Sequence, residues 1–371
     1  MNRAPARDRN PRQRVAGESA IAEAPLGPIL APREPQSSEL PQPQRAPLRW
    51  LYAFWAIGIL ALYVLHFPHL LADFPNHSPW MDYSKYTDEG WYGNAAMRYH
   101  LTGHWFLRGD FNAAVALPVW PLLLAAVFHF TGVSLAADRV LCLVVFGLNL
   151  LLAYSVVRTQ AARWVALVAV TLLVTSPFLY AFSHLAILET PLLCCLLLSW
   201  LFALRLPRAT ARAQTAMLAA IGLLICLMVL TKTTAIFIIP STLFLVARAF
   251  EFRWASLRAL ATTVASAALP WCAWYFLLVR PHYRVDYQYL FDANHWPQPT
   301  DFTGWIAAFW YALHGALWIS PTLCVVAVLL LLFALIPARS AKASGASRFN
   351  QNLWRNPLTI ASLLAAAGYV F

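Results

Sequence analysis

The sequence predicts an all-α polytopic membrane protein, and three observations carry that reading. Sixty per cent of the 371 residues are hydrophobic and only 12% are charged. Apolar runs of roughly 15 to 20 residues, about the length that crosses ~30 Å of hydrocarbon, recur along the chain. Several short connections between those runs carry arginines, the bias expected of cytoplasmic loops. The formal charge of +11 therefore reflects membrane topology, and no nucleic-acid partner is expected. All six cysteines (Cys142, Cys194, Cys195, Cys226, Cys272, Cys324) sit inside apolar runs without paired or ligand-like spacing. They read as small buried hydrophobes, with neither a disulfide framework nor a zinc site implied.

Residues 1–49 are rich in Pro, Arg, Ala, Glu and Ser and poor in aromatic and β-branched residues. Such a segment buries too little apolar area to offset its ordering entropy, so a disordered basic cytoplasmic tail is expected. It is no secretory signal, because the first apolar run lies far from the amino terminus. The run 51–71 opens a transmembrane domain covering 50–371 and, with arginines before it, passes from inside to outside. A first exterior loop, 73–112, is expected to carry juxtamembrane helices. Apolar runs follow at 113–131, 138–157, 164–182, 185–205, 216–231, 233–250, 257–279, 304–319, 321–337 and 357–371, giving about 10 or 11 apolar helices. Arg205, Arg208 and Arg212 mark one inside loop, Arg248, Arg253 and Arg258 a second, and Arg339, Lys342, Arg348 and Arg355 a third. They leave the turn at Lys232 and a second exterior loop, 280–303, outside. The last run stops without a polar anchor, so the natural chain is expected to continue beyond Phe371.

The loops impose a parity. With 73–112 outside and the Arg205 loop inside, an odd number of crossings must separate them, yet four apolar runs intervene. One run cannot cross. The expected one is 164–182, because Ser176-Pro177 interrupts it and Glu189-Thr190-Pro191 follows with Thr190 as N-cap and Pro191 at the first helical position. Arg158 and Arg163 would then face outward; had 113–131 been the re-entrant piece, they would face in.

Carboxylates gather in two loops on the same expected side. Asp73, Asp82, Asp88, Glu89 and Asp110 lie in the first, and Asp286, Asp292 and Asp301 in the second. Asp88 and Glu89 stand together in Thr87-Asp88-Glu89-Gly90-Trp91-Tyr92. In a helix Asp88 and Tyr92 share a face, Arg98 supplies a cation on the same segment, and Gly90, Gly93, Ala95 and Ala96 keep the surroundings small. A bare acidic pair in an exterior loop is ordinary solvated surface. The aromatic density around it (Trp80, Tyr83, Tyr86, Trp91, Tyr92, Tyr99, Trp105, Phe106) suits a membrane interface and offers faces for sugars. Lys232 is one of three lysines in the chain, set among hydroxyls in Thr231-Lys232-Thr233-Thr234. It is either a snorkelling anchor or a cation for a lipid phosphate at headgroup depth. Glu189 at a helix amino terminus is stabilised by the helix dipole without any function, and a lone His184 near a boundary is more often a structural hydrogen-bonder than a ligand.

Taken together, Thr87-Asp88-Glu89-Gly90-Trp91-Tyr92, Gly109-Asp110-Phe111, Pro118-Val119-Trp120-Pro121, Ser183-His184-Leu185-Ala186-Ile187-Leu188-Glu189 and Leu230-Thr231-Lys232 resemble the GT-C superfamily of membrane glycosyltransferases. Bacterial protein O-mannosyltransferase-like enzymes and the aminoarabinose transferase that modifies lipid A are the kin the motifs suggest. The resemblance spans about 50–300. It implies transfer of a sugar from a polyprenyl-phosphate donor to a lipid, glycan or protein acceptor at the outer face of a bacterial inner membrane, as in protein glycosylation or lipopolysaccharide modification. By the same resemblance Asp88 is the catalytic base, with Glu89 beside it, and Asp110 contacts a divalent metal or the donor phosphate. Glu189 is the acid after the broken helix, and Lys232 lies near the donor phosphate. Tyr92, Arg98 and His184 complete the substrate-binding candidates. Two departures stand out: many relatives carry Arg where this chain has His184, and the Glu-Lys-Pro-Pro arrangement of the lipid A enzyme is absent around Asp110. No cofactor beyond that metal is implied.

A transporter or flippase of a lipid-linked or polar substrate is the principal rival, since ionisable residues and broken helices also mark transport paths. Against it, no interrupted segments recur in two matching halves, and the acids favour loops over midspan positions. A non-enzymatic assembly protein is the third reading.

Overall fold

A computed structural model describes residues 46–68, 70–71, 87–105, 117–292, 301–307, 310 and 356–370. The expected tail, the runs 321–337 and most of 304–319, the Arg339 loop and Asp110 lie outside them. All regular structure among the described residues is helical. Four helical stretches are long and apolar enough to cross a membrane: Leu135–Gln160, Glu189–Arg208, Ala211–Thr231 and Trp254–His282. This is an all-α polytopic membrane protein.

The chain starts with α1 (Ala46–Val64) and, in the first loop, α2 (Thr87–Thr102). Then come α3 (Val119–Thr131), α4 (Leu135–Gln160), α5 (Arg163–Val174) and α6 (Pro177–Ser183). Side-chain contacts fix their directions. The Arg163 guanidinium lies 5.5 Å over the Tyr52 ring near the start of α1. Trp55 Nε1 donates to Thr171 Oγ1 at 2.9 Å, and His66 Nδ1 meets Ser183 Oγ at 3.1 Å. The segment α5–α6 therefore runs parallel to α1 along its whole length. Helix α4 runs the other way, since Tyr63 donates to the Leu143 carbonyl at 2.8 Å and Arg139 Nη1 to the Leu70 carbonyl at 2.9 Å.

These contacts correct one expectation. Leu70 and Arg139 meet at one end of the bundle, so α2 and α3, which lie between them in sequence, make no net crossing. Helix α3 has 13 residues and spans only about 20 Å. The run that fails to cross is thus 113–131, whereas 164–182 travels the full length of α1. Arg158 and Arg163 consequently face the end where α1 begins. The break at Ser176-Pro177 is real: Ser176 Oγ caps α6 by accepting from Leu179 N–H at 3.3 Å, and Pro177 takes the first turn. It divides a crossing helix instead of reversing it.

Helix α7 (Glu189–Arg205) begins two residues earlier than its Thr190-Pro191 signal suggests, with Leu188 in place of Thr190 at the N-cap, and Thr190, inside the first turn, gives its carbonyl to Asn149 Nδ2 at 2.9 Å. Helix α8 (Ala211–Thr231), capped by Thr210 Oγ1, returns and ends at Lys232, whose extended backbone breaks the apolar stretch where the sequence predicts a turn. A short 3₁₀ segment (Thr233–Phe237) leads into α9 (Ile239–Ala249), which packs against α7 through Ser199–Thr242 (3.1 Å) and Trp200–Ser241 (3.3 Å). Helix α10 (Trp254–Trp274) lies along α8. Their approach needs Gly222, where a Cβ would fall 2.6 Å from Ser266 Cβ and against the Thr263 carbonyl, as small residues permit in membrane helix pairs. A π-helical segment (Tyr275–Val279) follows Pro270 and leads through α11 (Arg280–His282) to α12 (Arg284–Asp292). The helix Pro357–Val370 packs on α9. By these directions Arg205, Arg208, Arg212, Arg248, Arg253 and Arg258 share the end that holds Arg158 and Arg163.

Candidate active site

The other end of the bundle assembles the polar residues. Glu89, third residue of α2, has only 4% of its surface exposed, yet it carries a carboxylate. Three donors satisfy it: Arg139 Nε to Oε1 at 2.9 Å, Arg139 Nη2 to Oε2 at 2.8 Å, and the Ala186 N–H to Oε1 at 2.8 Å. Arg139 itself is 1% exposed, and its remaining Nη1 holds the end of the α1 segment at Leu70. This bidentate pair ties together four separate pieces of chain: the end of α1, α2, α4 and the α6–α7 connection. Small residues on α2 (Gly93, Ala95, Ala96) are buried and let it lie close to α3 and α4.

Asp138 sits beside this pair in the first turn of α4. It is 4% exposed, lies against Gly93 of α2, and its Oδ1 has no hydrogen-bond partner among the described residues. Neither Asp138 nor Arg139 stands out in a reading of the loops. The available signal was an ionic Asp-Arg pair at the edge of an apolar run, where charges are rare and carry a role.

Among the sequence candidates, Asp88 is the second residue of α2, directly before Glu89, and Tyr92 follows one turn later, half-buried against the cluster of Trp120, Leu124, Cys142 and Leu188. Arg98 is half-buried two turns further on. Glu89 takes its oxygens into three buried hydrogen bonds, from Arg139 and the Ala186 N–H, that link the first turn of α2 to α4 and to the α6–α7 connection. His184, expected to contact substrate, is fully enclosed. Its ring stacks on His66 at 5.4 Å, Nδ1 meets the Tyr180 carbonyl at 2.5 Å and Nε2 meets the His66 carbonyl. It fastens the α6 end to the α1 end.

Glu189 and Lys232 do come together. Lys232 Nζ donates to Glu189 Oε1 at 2.5 Å, with the two side chains 27% and 37% exposed. Because Ala186 is bound to Glu89 just upstream, this ion pair opens at the same end as α2. The second loop joins it: Leu290 of α12 packs with Ala96, Ala186 and Leu188, and Tyr287 packs against the same cluster. Burial pushes the Tyr283 and Tyr287 phenols up, with Asp286 adding to the shift at Tyr283. Both therefore stay protonated donors near neutral pH. No group of three His, Cys, Asp or Glu side chains among the described residues is arranged to hold a metal ion.

Residues 115–274 match the family model of dolichyl-phosphate-mannose-protein mannosyltransferases. That match supports a GT-C membrane glycosyltransferase. It covers α3 to α10, including His184, Glu189, Lys232 and Arg139, and stops short of α2 and α12. No curated protein and no solved structure matches the chain. A glycosyltransferase of this family takes its sugar from a lipid-phosphate donor, which calls for a cation near the membrane surface and a base near an acceptor. The polar end of this bundle holds candidates for both.

Proposed function

We propose that this glycosyltransferase moves a sugar from a polyprenyl-phosphate donor to an acceptor hydroxyl at the exterior membrane face, with Asp88 as base and Lys232 at the donor phosphate. The observation that carries the reading is the Lys232–Glu189 ion pair at the α2 end, which brings together residues 43 apart in sequence. A partly exposed pair of this kind is worth little by itself, roughly 0–1 kcal/mol. The phosphodiester anion of the donor can therefore take the ammonium from Glu189 without a large cost. The arginine connections at the opposite end favour that end as cytoplasmic, which leaves Asp88 and Lys232 outside.

In this reaction the acceptor oxygen attacks the anomeric carbon and the bond from that carbon to the phosphate oxygen breaks. Asp88 receives the acceptor proton, and the electron pair of the broken bond leaves on the lipid phosphate, whose added negative charge develops against Lys232. A single displacement inverts the anomeric centre. Glu89 acts through position: held by Arg139 and Ala186, it fixes the first turn of α2 and so the place of Asp88. Tyr92 and Arg98, further along α2, line the same approach. Asp110 remains the candidate for a divalent ion or a second donor contact. The acceptor is a lipid, glycan or protein brought along the exterior surface.

Asp88→Asn tests the base. Transfer by purified protein supplied with a polyprenyl-phosphate sugar should fall by about 10²-fold or more, while retention of the donor is unchanged. Transfer at the parental rate would remove Asp88 from the chemistry.

A further inference from the structure

Helices α1, α4 and α5 do not close on one another along the bundle, and the cleft they leave has a volume of about 760 Å³. Its walls are mostly aliphatic, with Ala56 and Leu60 from α1, Leu151 from α4 and Leu167 from α5 among them, and Tyr154 of α4 also lines it. Tyr63 closes the end nearer Glu89: its ring lies over Gly147, where a Cβ would come within 2.7 Å of the phenol oxygen, and its hydroxyl is bound to Leu143. The opposite end carries Tyr52 and Arg163. The Arg163 guanidinium lies over the Tyr52 ring at 5.5 Å, an arrangement that leaves its N–H edge able to donate. Arg158 adds a second cation in the same connection, with Nη1 on the Ala161 carbonyl at 2.6 Å.

We propose that this cleft is a binding site for an anionic glycerophospholipid of the leaflet at the Arg163 end, with one acyl chain between α1, α4 and α5 and its phosphate on the Arg163 guanidinium. The chemistry of the lining selects the ligand. An aliphatic slot in the range of small-molecule sites, about 300–1,000 Å³, accepts hydrocarbon and rejects sugars or peptides, and the guanidinium at its mouth selects a phosphate-bearing headgroup over a neutral one. The sugar donor is a poor occupant, because on the proposed function its phosphate binds Lys232 at the opposite end of the bundle. This lipid would hold α1 against α4 and α5, the helices whose far ends carry Leu70 and Arg139, and so support the brace under α2 without taking part in transfer.

The test uses the full chain in nanodiscs of phosphatidylglycerol or phosphatidylcholine, with bound lipid counted by native mass spectrometry after release. The parent should retain one phosphatidylglycerol per chain with about tenfold or greater preference over phosphatidylcholine, from one charge-assisted contact. Arg163→Gln should erase the preference, and Ala56→Phe, which fills the slot from an exposed position on α1, should abolish retention of that lipid. Leu60→Trp serves as a second filler if Ala56→Phe folds poorly. Equal retention of the two lipids by the parent, or unchanged retention in both filler variants, overturns the site. Displacement of the bound lipid by a polyprenyl phosphate that the fillers also block would assign the cleft to the donor and overturn the proposed occupant.

Discussion

Replacing Glu89 by Gln separates a brace from a catalytic acid, and the structure sets the size of the effect. Glu89 accepts three hydrogen bonds, two of them from the Arg139 guanidinium, at 4% and 1% exposure. Glutamine keeps one acceptor oxygen, which at the Oε1 position still accepts from both Arg139 Nε and the Ala186 N–H, while its NH₂ is turned toward Arg139 Nη2, donor against donor. The guanidinium is then left buried without its counter-charge. Breaking a buried pair from one side costs about 3–5 kcal/mol, a large part of the roughly 5–15 kcal/mol that holds a typical domain. Glu89→Gln should therefore lower the unfolding midpoint in mild detergent strongly, and transfer should fall as α2 loses its seat. Removing both charges, Glu89→Gln with Arg139→Met, should recover part of the lost stability, since no buried ion is then left unpaired. A catalytic Glu89 would give the reverse pattern. Wild-type stability in Glu89→Gln with transfer lost, and no recovery in the double variant, would refute the brace.

Three other outcomes follow from the same geometry. Lys232→Met should weaken binding of a polyprenyl-phosphate analogue by about 10- to 100-fold, whereas Glu189→Gln, which removes the competing carboxylate, should leave it equal or tighter; titration of purified protein decides, and unchanged affinity in Lys232→Met makes the lysine an anchor only. Cysteines introduced at His104 and Val133 should react with an impermeant maleimide from the side that labels position 232, and a cysteine at Arg208 from the other; labelling at Val133 from the Arg208 side would restore α3 as a crossing helix. Gly222→Leu should destabilise by about 1–3 kcal/mol through overpacking at Thr263 and Ser266, read as a lower unfolding midpoint, and a stability equal to the parent would mean α8 and α10 do not pack so closely.

Local chemistry explains what was legible. The turn at Lys232, the interruption at Ser176-Pro177 and the helical character of 87–102 each depend on neighbours in sequence: a lysine among hydroxyls, a Ser-Pro cap, an acidic start followed by small and aromatic residues. The direction of each run was not legible, because hydropathy measures whether a segment is long and apolar and carries no sign. The run 113–131 has no ionic residue to mark it as non-crossing. Only bonds spanning 69 and 97 residues, Arg139 to Leu70 and Ala186 to Glu89, place the segments on either side of α3 at one end of the bundle. The same long reach hid Arg139 and Asp138. The partners of His184, the backbone carbonyls of Tyr180 and His66, were hidden for the same reason, since no motif records them.

On the proposed reading the two acids of the Asp88-Glu89 pair divide their work because of where a helix sends adjacent residues. Neighbours on an α-helix point about 100° apart, so one of two consecutive acids can be buried while the next belongs to another face. Burying Glu89 against Arg139 costs desolvation of both ions, and a buried pair is weak support for stability as such. What it supplies is register. Four segments meet at one bidentate contact, and a slide of α2 by one residue would put Asp88 or Gly90 where Glu89 meets Arg139 and Ala186. A base on a long loop would otherwise wander, and misplacement by about 1 Å is enough to lose some 10²-fold in rate. Glu89→Asp makes the point testable: the charge is kept but the carboxylate falls short by one methylene, so α2 must shift or the bonds must stretch. Transfer should fall well beyond the loss in unfolding midpoint, with donor affinity at Lys232 retained. Equal losses in rate and stability would mean that Glu89 only holds the fold together.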